Sequence, residues 1–108
     1  MANNLHHLAE ERSLALHRLI AAELSEDSAA LAKARARVTS WIEHRRVSSR
    51  YAEAWHAALQ GSLEELKALL SDPGEHARAL RQVSPFAGAV DARTRWRVWR
   101  EVRRNAAL

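Results

Sequence analysis

The sequence contains no cysteine. That absence removes disulfides, thiolate metal sites, thiol redox chemistry and a cysteine nucleophile, and it agrees with a cytoplasmic location. Three glycines, widely scattered, cannot build the glycine-rich loops that cradle phosphates. No apolar run approaches the ~18 residues that a membrane-crossing helix requires. The opening MANNLHHLAEERS lacks the basic-then-apolar pattern of a secretory signal. A soluble cytoplasmic protein with no membrane partner is therefore expected. Strand-like alternation is almost missing, and so is lysine after Lys67.

What is present is helical spacing. With 108 residues, 47 % of them apolar, the chain suits one compact domain with a modest core. Leu5, Leu8, Leu16, Leu19, Ile20 and Leu24 share one face of a helix expected over roughly residues 4 to 24. Ser25-Glu-Asp-Ser supplies capping and first-turn acidic groups for a second helix, whose apolar face is Leu31, Ala34, Val38, Trp41 and Ile42. Ser49 caps a third, carrying Tyr51, Trp55 and Leu59 at steps of four and closed by Gly61. Ser62-Leu-Glu-Glu65 reads as a capping box, in which serine and glutamate each satisfy a backbone amide, ahead of Leu63, Leu66, Leu69 and Leu70. Asp72-Pro73-Gly74-Glu75 starts a fifth helix, with proline at its first position, running to about Val83. Ser84-Pro85-Phe86-Ala87-Gly88 breaks the pattern, and Asp91 caps a sixth helix at about residues 92–105. The expectation is a single all-α bundle of five or six short helices. Four tryptophans at helical spacings are most simply core anchors.

Charge is divided unevenly. From Met1 to Glu75, nine Lys and Arg face eleven Asp and Glu, a net of −2; from His76 onward, eight arginines face Asp91 and Glu101, a net of +6. A field confined to one end attracts nucleic acid, an acidic protein surface or an anionic membrane, and charge alone does not choose. At 100° per residue, Arg93, Arg97, Arg100 and Arg104 fall together, opposite Val98, Trp99 and Val102. Arg95 sits at the edge of the apolar side, where it must snorkel, pair with a carboxylate or join an interface. Guanidinium pairs bidentately with carboxylate or phosphate, so arginine used to the exclusion of lysine favours a specific acceptor. The competing reading is a plain solvated basic face.

Other chemistry is thinly represented. His6, His7, Glu10 and Glu11 form two His/Glu pairs at i, i+4 without a further ligand, and no metal centre is expected. His17, His44, His56 and His76 have no Ser, Asp or Glu partner at a recognisable nucleophile motif, so neither enzymatic activity nor a cofactor is expected. A helix-turn-helix unit around Asp72-Pro-Gly fits poorly, because Arg78 and Arg81 occupy places where apolar residues belong. Those arginines are expected instead to extend the basic surface of the last helix.

The stretch LRQVSPFAGAVDARTRWRVWREVRR, Leu80 to Arg104, resembles the end of a group of small bacterial antitoxin-like proteins that close with LRQxSPFAG and a basic RWRxWRE helix and are often encoded beside a toxin gene. The likeness covers about a quarter of the chain. Ala89-Val90 stands where the group usually has leucine, which leaves the packing of the loop open. The resemblance implies binding and neutralisation of a partner protein, such as a toxin nuclease, with repression of its own promoter as a second role. It nominates Arg81, Gln82, Ser84, Pro85, Phe86, Gly88, Arg95, Trp96, Arg97 and Trp99 as interface residues, and the basic stripe adds Arg93, Arg100 and Arg104. On this expectation Phe86 is an apolar anchor offered to the partner, with Arg81, Arg93, Arg97 and Arg100 on its acidic groups. Two alternatives stand beside it: a nucleic-acid-binding regulator whose last helix tracks phosphates, and a phage or mobile-element inhibitor of a nucleic-acid-targeting complex. Homo-oligomerisation, including exchange of the first helix between protomers, is left open.

Overall fold

Two of the helices in this chain, those starting at Leu63 and Ala92, begin on a side-chain cap. The computed structural model describes residues 2–106, and their side chains from residue 7 onward. It holds six helices: α1 (Ala2–Glu23), α2 (Ala29–His44), α3 (Ser49–Gln60), α4 (Leu63–Ser71), α5 (Glu75–Arg81) and α6 (Ala92–Ala106), with no strand among the described residues. Before α2, the Ser28 hydroxyl accepts the Ser25 amide at 2.7 Å, which knots the turn without capping the helix itself. Ser62 caps α4, its hydroxyl accepting the Glu65 amide at 3.1 Å; the reciprocal Glu65 bond of a full capping box is not formed among the described residues. Asp91 caps α6 in the same way, accepting the Thr94 amide at 2.7 Å, and that bond holds its carboxyl below the usual carboxylate range.

Three boundaries differ from the sequence expectation. Ser48, not Ser49, is the N-cap of α3. Pro73 stays outside α5, because the Asp72 carboxylate accepts the Gly74 amide at 2.8 Å and turns the chain first, leaving Gly74 as the N-cap. Gly61 ends α3 in extended backbone, at φ −76°, so no left-handed cap is used there. The left-handed cap belongs instead to Arg45, at φ 51°, after α2.

The core is built around Trp55, which is fully buried. Burying an indole removes about 150–250 Å² from water, a gross gain of roughly 4–6 kcal/mol. Its Nε1–H donates to the Leu80 carbonyl at 3.1 Å, so the polar edge is satisfied inside. Leu31, Ala34 and Val38 of α2, Leu59 of α3, Leu66 and Leu70 of α4, Leu80 of α5, Phe86 of the loop after it, Ile20 and Ala21 of α1, and Leu24 just beyond α1 complete the cluster. Ile42, expected on the inner face of α2, is 43 % exposed, at the mouth of a cleft shared with the start of α3. The tryptophans divide: Trp55 is a core anchor, Trp41 and Trp99 are half-buried, and Trp96 is 60 % exposed, which corrects the expectation of four anchors. α1 packs against α4, α5 and α6 of its own chain.

Candidate functional site

The segment between α5 and α6 is a loop tied down from two sides, by α1 and by α2. Proline at position 85 forbids continuation of α5, and Gly88, at φ 85°, takes the left-handed place that closes the turn from Phe86 to Ala89. From α2, one Arg37 guanidinium nitrogen donates to the Ala87 carbonyl at 2.6 Å and the Pro85 carbonyl at 3.1 Å. From α1, His17 holds the other end. Its Nδ1–H donates to the Ser13 carbonyl at 2.7 Å, which fixes the tautomer and leaves Nε2 to accept the Ser84 hydroxyl at 2.8 Å. The Ser84 oxygen in turn accepts the Phe86 amide at 3.1 Å. Burial holds the His17 imidazole below its ordinary value; the Ser13 bond opposes this and the charge of Arg81 adds to it. His17 and Ser84 lie 67 positions apart, so no spacing rule could have paired them.

This architecture overturns the expected role of Phe86. The ring is only 3 % exposed and meets Trp55 edge-to-face at 6.2 Å, and Pro85 beside it is fully buried. The loop therefore turns its apolar residues into the core, where they gain more than they would at a polar surface. Arg81 is corrected in the same sense. It is 6 % exposed, and it donates to the Asp72 carbonyl at 2.6 Å and the Leu69 carbonyl at 3.3 Å, covering the free carbonyl end of α4. Burial pushes its guanidinium down and Asp72 opposes that shift, yet an arginine remains a cation at neutral pH. Arg78 faces out, 3.6 Å from Glu10. Ser84 is half-buried; Gln82 and Gly88 are exposed at the loop's outer side.

α6 is organised oppositely. None of its residues is fully buried. Thr94, Arg95, Val98, Trp99 and Val102 are half-buried on the side facing the bundle, whereas Arg93, Trp96, Arg97, Arg100, Arg103 and Arg104 are exposed. Arg12 of α1 reaches Trp99, and Leu16, one turn further on, shares a cleft with Arg95, so α6 runs antiparallel along α1. The Arg12 and Arg95 guanidinium carbons stand 5.3 and 5.6 Å from the Trp99 ring centroid. Such contacts are worth about 0.5–2 kcal/mol each as water is excluded. Arg95 thus lies within the inner face, not at its edge. The exposed arginines span about 16 Å of helix, and among the described residues none of them is within ion-pair distance of a carboxylate.

The two surfaces meet at a concavity of about 380 Å³, framed by α1, the end of α2, the 84–90 loop and α6, with Leu16, Ile20, Trp41, Phe86, Val90 and Arg95 among its walls. At the other end of α1, His7 stands 3.9 Å from Glu11 while Glu10 turns to Arg78; the His6 side chain lies outside the described residues. Compared with known proteins, the chain matches no family model, no curated protein and no solved structure.

Proposed function

We propose that this chain is an antitoxin-like binding protein, without catalysis of its own, that neutralises a protein partner by laying the outer face of α6 on an acidic surface. The observation that carries the reading is the row Arg93, Arg97, Arg100, Arg103 and Arg104, exposed around the exposed indole of Trp96 and free of internal ion pairs among the described residues. Arginine and tryptophan are the side chains that dominate protein interfaces, because one pairs bidentately with carboxylate and the other covers a large area at small entropic cost. The bundle behind α6 supplies rigidity, and the partner is inhibited by occlusion.

The exposed Trp96 favours one second reading. An indole among guanidiniums also suits stacking on unpaired bases beside a phosphate track. Glu101, exposed among the arginines, weighs against a polyphosphate and is at home against a mixed protein surface. The deciding experiment is affinity capture from the native host, followed by nuclease treatment and a salt series, with wild type beside Arg97→Glu/Arg100→Glu. A stoichiometric protein that survives nuclease and is lost with the double variant is expected, at a cost above ~1 kcal/mol. A nuclease-sensitive complex whose log affinity falls about 0.9 per neutralised phosphate with log salt would sink the protein reading and establish the other.

A further inference from the structure

We infer that the concavity between α1, the 84–90 loop and α6 is a socket for one large apolar side chain of an acidic protein segment, with Arg95 at its wall receiving a carboxylate of that segment. The inference rests on the reading of α6 as a face for an acidic protein, and adds to it a specific point of purchase.

Three observations define the occupant. The first is shape. Phe86 and Pro85 have turned inward, so the chain offers a hollow where its sequence suggested a knob; at about 380 Å³ the hollow is at the small end of ligand-holding cavities, which run to roughly 300–1,000 Å³. Leu16, Ile20, Trp41 and Val90 make its walls apolar. The second is the state of its polar groups. His17 and Ser84 are bonded to each other, and Arg81 to the carbonyls of Leu69 and Asp72, so none of them awaits a ligand. Arg95 differs. Its guanidinium lies over Trp99 and makes no hydrogen bond among the described residues, which leaves the donors on the edge of its plane available.

The third is charge. No carboxylate lines the cavity, and two guanidiniums, Arg81 and Arg95, do. An acidic segment therefore meets attraction on entry, and its apolar side chain replaces water on the cavity walls. A nucleobase fits less well, because the walls are mostly apolar and Arg95 and Gln82 alone could meet its hydrogen-bonding edges. The interface so described is a hot spot inverted from the sequence expectation: the partner inserts and this chain receives.

The test uses the full chain, isotopically labelled, and three probes of similar charge: a seven-residue Glu/Asp peptide with a central phenylalanine, the same peptide with central alanine, and oligo(dT). The phenylalanine peptide is expected to bind at least tenfold tighter than the alanine peptide, shifting the methyl signals of Leu16, Ile20 and Val90. Arg95→Gln is expected to weaken both peptides, and Val90→Phe, which fills the hollow, to erase the difference between them. Equal affinity of the two peptides for wild type overturns the socket and leaves the α6 reading standing, and this comparison needs no variant to fold. Binding of oligo(dT) with neither peptide bound overturns the socket and the protein-partner reading together, as does binding of none of the three.

Discussion

Residues 80–90 and residues 91–104 are both rich in the side chains that mark interfaces, yet they are used in opposite senses. In the first, Arg81, Ser84, Pro85 and Phe86 all turn toward the protein, and each polar group finds a partner there. In the second, no residue is fully buried and five arginines stand in water. An arginine is therefore not informative by identity; what matters is whether unpaired carbonyls are within its reach. Arg81 lies beside the carbonyl end of α4 and is drawn in, while Arg97 faces nothing and remains out.

That contrast can be broken most directly at Phe86. Phe86→Ala removes the ring that meets Trp55 and is expected to cost about 3–5 kcal/mol, read by denaturant unfolding. A variant that kept its stability while losing a partner would return Phe86 to the surface and dissolve the distinction. Arg81→Ala comes next. It strips the Leu69 and Asp72 carbonyls of their donor, and about 1–3 kcal/mol of stability is expected to go with it. No change in the unfolding midpoint would mean that water replaces the guanidinium freely, and that Arg81 belongs with the outer arginines after all.

The smallest effect sharpens the comparison through pH. Burial holds His17 below its ordinary value of 6.5, so the folded chain takes up the proton less readily than the unfolded one. The stability this contributes is complete above that value and declines as pH falls below it. Melting temperature followed from about pH 7.5 down to pH 5 should therefore drop on the acid side, and His17→Gln should flatten the drop. An identical acid-side decline in His17→Gln would assign it to the carboxylates instead.

The parts of this fold legible in the sequence are those governed by neighbours within one or two turns. Ser62 and Asp91 cap the helices they precede, and the leucines of α4 and the outer arginines of α6 lie where 100° per residue puts them. On α1 the stripe was only partly visible: Leu14 and His17 are buried in it, and neither the polar histidine nor a leucine two places from Leu16 was expected there. The direction of Arg81 and Phe86 was not legible at all. Both follow from contacts with residues on other elements, Leu69 and Asp72 for one and Trp55 for the other, and no local period encodes them. The cavity shared that fate, since its walls come from four separate segments.

The placement of α1 also bears on time. α2 and α3 adjoin in the chain and pack on each other, so they can pair as soon as both exist. α1 ends at Glu23, but its partners α4, α5 and α6 begin only at Leu63. Long-range closure of this kind is slow and entropically expensive. During synthesis α1 emerges well before these partners, and its stripe of Leu14 and Ile20 stays uncovered at least until α4 has been made.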